Sequence, residues 1–193
     1  EGVRRVVYTS SPHADTSTMG MAGEHKGTEE YLRGSGLVVT VLRNNWYHEN
    51  YLGSLAEAGA TGQITAAAGQ GRVASAARAD YAAGAAAVLR GSEHDGAVLE
   101  LGGDVAWTHD ELAEAAAQVL GRPVVYREVD DAERIAGVVA AGFDEAMAGF
   151  FLDVDHHVRD GALGEVTGIL SQLIGRPTTP LAEGLRAGAA EAV

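Results

Sequence analysis

The sequence predicts an α/β fold, and three observations predict it. Short apolar, β-branched runs recur at residues 3–9, 37–42, 97–101 and 124–129, as buried strands require. Helix-compatible segments alternate with them, with capping and stop residues at their ends. The first two runs flank a single helical stretch, a βαβ order that implies parallel strands and a right-handed crossover.

The elements follow in order. The first strand, 3–9, ends in the polar turn Tyr8-Thr9-Ser10-Ser11. Residues 12–18 mix Pro, His, Asp, Thr and Ser and read as a loop. A helix over 20–33 closes at Gly34-Ser35-Gly36. Strand 37–42 then delivers Arg43-Asn44-Asn45-Trp46-Tyr47-His48-Glu49-Asn50-Tyr51 at its carboxyl end. Residues 46–58 are predicted helical, and 62–73 carries strand-like pieces around Gly69-Gln70-Gly71. An alanine-rich helix opens at Arg78, with Asp80 near its positive end, and runs to 89. Strand 97–101 precedes Gly102-Gly103-Asp104. Thr108 and Glu111 form a capping box for a helix to 120, which Gly121-Arg122-Pro123 stops. After the strand at 124–129 the chain is predicted mostly helical up to Val193.

Composition narrows the function. Length (193 residues) suits one domain or part of a larger one, and 46% hydrophobic residues suffice for a core. Cys 0 excludes a disulfide framework and thiolate chemistry, which fits a reducing compartment, the cytoplasm. A net charge of −13 with one lysine, Lys26, argues against nucleic acid as a partner. No apolar run is long enough for a membrane span. The chain begins at Glu1 and enters a strand almost at once, which reads as a truncated or processed chain.

The chemistry centres on residues 44–51. Ligands of open α/β sheets sit outside the carboxyl ends of strands, where Asn and Arg supply directed hydrogen bonds and Trp and Tyr flat walls. A dinucleotide-binding glycine loop does not follow the first strand. Gly69-Gln70-Gly71 reads as a turn, and Gly102-Gly103 follows a strand but lacks the third glycine. The Tyr-x-x-x-Lys pair of alcohol-oxidising short-chain dehydrogenases is also absent, because Ala22 stands four residues before Lys26. Quinone reduction needs less, since any nearby donor can stabilise the phenolate-like oxygen that results. His25 and Glu29 share one helix face, which suits either a proton donor near a reacting centre or an ordinary exposed histidine. Asp153, Asp155, His156 and His157 lie close in sequence but without metal-ligand spacing, and are read as a solvated helix end; no metal is expected.

Tyr8-Thr9-Ser10, His13-Ala14-Asp15-Thr16-Ser17, Glu24-His25 and Thr28-Glu29 resemble the NmrA-like branch of atypical short-chain dehydrogenases/reductases. Leu42-Arg43-Asn44, Trp46-Tyr47, Glu49-Asn50-Tyr51-Leu52, Arg78-Ala79-Asp80-Tyr81-Ala82, Trp107-Thr108 and Pro177-Thr178-Thr179 sharpen this to the type-2 NAD(P)H:quinone oxidoreductases. The resemblance covers essentially the whole chain. It implies a Rossmann-like NAD(P)-binding fold, here lacking its first four strands, plus a smaller, mainly helical substrate domain. Residues 1–50 would be the carboxyl-terminal part of the Rossmann-like domain. Residues 51–193 would be a substrate-binding subdomain, with some strands returning to the main sheet. The implied reaction is quinone reduction with NADPH, NADH being the other candidate donor. Asn44, Asn45, Trp46, Tyr47, His48 and Glu49 would hold the nicotinamide end, Tyr8, Thr9 and Ser10 would line the adjacent strand end, and His25 would act at the substrate. Two departures stand out: Asn45 replaces a usual glycine, and the phosphate loop with its 2′-phosphate-selecting Arg belongs to strands that this chain lacks. The alternative is a non-catalytic NmrA-like redox sensor that binds a protein partner. If this short chain is itself the natural product, self-association or another chain supplying the missing strands is expected.

Overall fold

The computed structural model describes residues 2–191. Strand β1 (Arg5–Ser10) leads through α1 (Ala22–Arg33) to β2 (Val38–Asn44). The two pair in parallel, from Arg5 beside Val38 to Ser10 beside Arg43. β4 (Val98–Leu101) pairs in parallel along the other side of β2, giving the order β1-β2-β4. β2 is therefore the central strand. It is buried from Val39 to Asn44, whereas β1 lies at the sheet edge and is half-buried over most of its length. A second parallel pair joins β3 (Gln63–Ala66) to β5 (Val125–Glu128).

The helices α2 (Leu52–Thr61), α3 (Arg78–Arg90), α4 (His109–Leu120), α5 (Asp131–Ala140), α6 (Glu145–Arg159), α7 (Ile169–Ile174) and α8 (Leu181–Glu191) complete the order. The capping box predicted at Thr108 and Glu111 is present in both directions. Leu42, Tyr81, Val88, Leu101 and Leu170 pack together with the first sheet, and Leu55, Ile64, Val73, Trp107, Leu112, Val154 and Leu185 fill the larger core around the second. The predicted helix up to Val193 is seen to Glu191, and Ala192 and Val193 lie outside the described residues.

Two differences from the sequence reading matter for the site. β2 runs on through Arg43 and Asn44, so both side chains are fixed by a strand. The predicted helix at 46–58 is broken at its start. Trp46 and Tyr47 are extended, with Trp46 O accepting from Ala76 N and His48 N donating to Ala76 O. A 3-10 turn at His48–Tyr51 then leads into α2. That backbone pairing with residue 76 outcompetes the local helical pattern. Gly102-Gly103 has a packing reason: Gly103 N donates to Ala74 O at 2.8 Å, and a Cβ at 103 would overlap the Ser75 carbonyl.

Candidate active-site cleft

β1 and β2 end side by side, and a cleft of about 390 Å³ opens beyond their carboxyl ends. Thr9, Ser10, Ser11 and Pro12 form one wall, and Asn44, Asn45, Trp46 and Tyr47 another. Met21 and His25 come from α1, Phe150 and Phe151 from α6, and Asn50 and Arg78 from the rim. The volume falls in the range of small-molecule sites.

Strand alternation sends the two residues at the end of β2 to opposite faces. Arg43 turns into a buried ion cluster. Its Nε and Nη2 donate to Glu29 Oε1 and Oε2 at 2.9 and 2.8 Å, and its Nη1 donates to Asp15 at 2.7 Å and Glu100 at 3.0 Å. Ser10 Oγ donates to Glu29 Oε1 at 2.7 Å, and Arg33 adds a bond to Oε2 at 2.8 Å. Burial pushes the Glu29 carboxyl up, but hydrogen bonds from Arg43 and Ser10 and the nearby guanidinium charges outweigh it and hold it below the usual range. The hydrogen bond to Glu29 raises the Arg43 guanidinium in turn.

Asn44 faces the cleft. Its Oδ1 is buried and has no hydrogen-bond partner among the described residues, and the same holds for Ser11 Oγ. Two unpartnered acceptors in one cleft are what a ligand with N–H or O–H groups requires. Asn45 is committed to the fold. Its Nδ2 donates to Leu163 O at 3.1 Å and its Oδ1 accepts from Trp46 N at 2.7 Å, which ties the strand end to the loop after α6.

His25 lines the cleft with its Nδ1 2.8 Å from the Tyr8 hydroxyl. When that hydroxyl donates, Nε2 carries the proton and is the free donor of the ring. Glu29 is not the partner of His25; although one turn away, it points inward to Arg43. Trp46 and Phe150 form tilted rings with centroids 6.4 Å apart, and the Arg78 guanidinium lies 5.3 Å from the Tyr47 ring centre.

His48 and Glu49 do not line the cleft. Ser75 Oγ accepts from Trp107 Nε1 at 2.9 Å and lies 2.8 Å from His48 Nδ1, while His48 Nε2 lies 2.9 Å from Thr179 O. This arrangement holds one neutral tautomer, and burial lowers the His48 pKa. Asp80, read as a helix-dipole partner, is fully buried and accepts from Arg176 at 2.6 Å and from Thr179 N at 2.7 Å. His48 and Asp80 thus clamp the segment at 176–179. Glu49 caps α3, its carboxylate accepting from Arg78 N at 3.0 and 3.1 Å. Asp155, His156 and His157 are engaged separately, with Arg134, Asp131 and Asp153. Asp155 is buried, and burial raises its pKa, so it is no part of a solvated helix end.

Sequence reasoning missed Ser11, Pro12, Met21, Arg78, Phe150 and Phe151 as cleft residues. The two phenylalanines carry a weak signal, since an amphipathic helix needs only one of two adjacent apolar residues for its core.

No family model matches the chain. It is similar to quinone oxidoreductase 2 of Escherichia coli, 46% identical over 182 residues, which is 94% of this chain and 64% of that protein. A crystal structure of the NADPH-dependent quinone oxidoreductase from E. coli matches with a TM-score of 0.90 at 45% identity, covering 96% of this chain and 68% of that one. Triphenylmethane reductase from Citrobacter, complexed with NADP(H), matches with a TM-score of 0.90 at 31% identity, over 97% of this chain and 66% of that one. NmrA, a negative transcriptional regulator, matches with a TM-score of 0.70 at 14% identity, over 98% of this chain and 67% of that one, a likeness of fold alone. The chain spans a little under two thirds of the length of the curated quinone oxidoreductase.

Proposed function

The chain belongs to the family of quinone oxidoreductase 2, with an α/β Rossmann-like fold, and from that premise we propose that it is the carboxyl-terminal part of an NADPH-dependent quinone reductase. In this reading the first four strands, with the glycine-rich phosphate loop, lie outside the chain and pair along the free edge of β1. Residues 1–50 form the carboxyl-terminal part of that dinucleotide-binding domain, residues 51–193 build the substrate side and return β4 to its sheet, and the protein works in the cytoplasm.

The observation that carries the reading is the unpartnered Asn44 Oδ1 in an aromatic-walled cleft at the strand ends. Asn44 would hold the carboxamide of a nicotinamide ring, a group whose N–H could complete the orphaned oxygen. Ser11 Oγ offers a second contact on the same side. Bound NADPH supplies a hydride that, with one proton, converts a quinone to its hydroquinone. Trp46 and Phe150 form an aromatic wall against which the flat acceptor lies and exclude water. His25 Nε2–H donates to the quinone oxygen on which negative charge develops, and Tyr8 keeps the opposite ring nitrogen occupied. His48 and Glu49 contribute by holding the cleft walls. The regulator alternative has only the fold likeness to NmrA in its favour.

The full-length protein is expected to oxidise NADPH on addition of 1,4-benzoquinone, followed by loss of NADPH absorbance. Absence of turnover with several quinones overturns the proposal. Asn44→Ala is expected to weaken NADPH binding about tenfold, the loss of one hydrogen bond to a buried group; an unchanged affinity by calorimetry removes Asn44 from the cofactor site.

A further inference from the structure

We propose a second subsite, a hydrophobic cavity beside the cleft that receives the alkyl or prenyl side chain of a lipophilic quinone. The proposal rests on the quinone-reductase reading and adds the class of substrate. The cavity, about 310 Å³, lies between α2, α5 and α6, with Val138, Ala141, Phe143 and Phe151 in its wall. Asn50 and Phe151 line both spaces, so the two are adjacent and share that wall. A file of aromatic rings leads from one to the other. Trp46 and Phe150 in the cleft are 6.4 Å apart, Phe150 and Phe151 5.8 Å, and Phe151 and Phe143 5.8 Å. Phe143 stands half-exposed at the far mouth.

The chemistry of the two spaces differs. The cleft keeps two polar atoms without partners among the described residues. The second cavity keeps none of that kind, and its charged groups are already engaged: Glu57 accepts from the Thr65 hydroxyl, and Arg134 donates to Asp155 and Thr65 O. A space walled largely by Val138, Ala141, Phe143 and Phe151, with its charged groups already engaged, gains most from a hydrocarbon chain. A quinone ring in the cleft with its substituent directed past Phe151 fills both.

Gly53 and Gly137 line the cavity, and a Cβ at either meets no atom within 4 Å. Both lie in helices, where a leucine is favoured over glycine, so Gly137→Leu and Gly53→Leu fill the cavity without threatening the fold. The test compares a decyl-substituted benzoquinone with the unsubstituted ring on the full-length protein, reading KM in turnover and, separately, equilibrium affinity by quenching of tryptophan fluorescence. The decyl compound is expected to bind at least ~tenfold more tightly, a modest return for several buried methylenes. Either leucine variant is expected to abolish that advantage and leave the KM for the unsubstituted quinone unchanged. Equal affinities for the two quinones, or an advantage that survives both substitutions, overturns the subsite. If neither quinone is turned over but the decyl preference in binding is present and lost in the variants, the subsite stands and the reductase reading falls.

Discussion

The cleft and the clamp at residues 176–179 both draw on the polar run that begins at Asn44, yet their polar atoms meet opposite ends. In the clamp, both ring nitrogens of His48 are partnered, Ser75 bonds in two directions, and Asp80 holds Arg176 and the Thr179 amide. In the cleft, Asn44 Oδ1 and Ser11 Oγ are buried without a partner among the described residues. A buried polar atom left alone costs about 1–3 kcal/mol; where such atoms belong to residues lining a cleft, as these two do, a ligand can complete them. The difference teaches that residue type did not separate the cleft from the scaffold here. Hydrogen-bond completion did.

The comparison can be broken by substitution. The largest effect is expected in the ion cluster beneath the cleft, a third fully partnered region. Arg43→Met leaves Glu29 buried with only Arg33 and the Ser10 hydroxyl beside it and is expected to cost about 3–5 kcal/mol in denaturant unfolding. Adding Glu29→Met should recover much of that loss; a double variant as unstable as the single one means that the pair is not the cause.

Acid gives the next effect. His109 is buried among Tyr51, Trp107 and Tyr126, its Nδ1 has no partner among the described residues, and burial lowers its pKa to about 4. The folded state therefore binds fewer protons than the unfolded one between the two pKa values. Stability is full above pH 6.5 and falls as pH drops toward about 4, by up to ~3 kcal/mol at about 1.4 kcal/mol per pH unit. His109→Phe should flatten most of that slope, His48 supplying the remainder in the same direction; a slope unchanged in His109→Phe assigns it elsewhere.

Within the clamp, Asp80→Ala is expected to cost about 2 kcal/mol through two lost hydrogen bonds to a charged acceptor. In the cleft, Asn44→Ala should change stability by less than about 1 kcal/mol, because no protein partner is lost, while weakening the cofactor as above. A large stability loss at Asn44 erases the contrast between the two regions.

Much of the fold was legible in sequence because it is local. The capping box at Thr108 and Glu111 needs residues three apart, the strand at β2 needs a β-branched apolar run, and the helix from Arg78 needs alanine and a stop. The candidate site was legible in part. Its position at the end of β2 followed from the strand pattern, and His25 and residues 44–47 do meet in one cleft. His48 and Glu49 looked equally suitable and are not there.

The sequence by itself determined the α/β order, the family resemblance and the position of the candidate cleft at the end of β2. Tertiary structure alone decided that Arg43 turns to Glu29 while Asn44 faces the cleft, that Phe150 and Phe151 close it, and that His48 serves Thr179. The reason is range. Patterning records neighbours within a turn or a pleat, whereas the partner of a buried polar atom is whichever distant segment the fold returns to it. For Asn44 Oδ1, no described segment does.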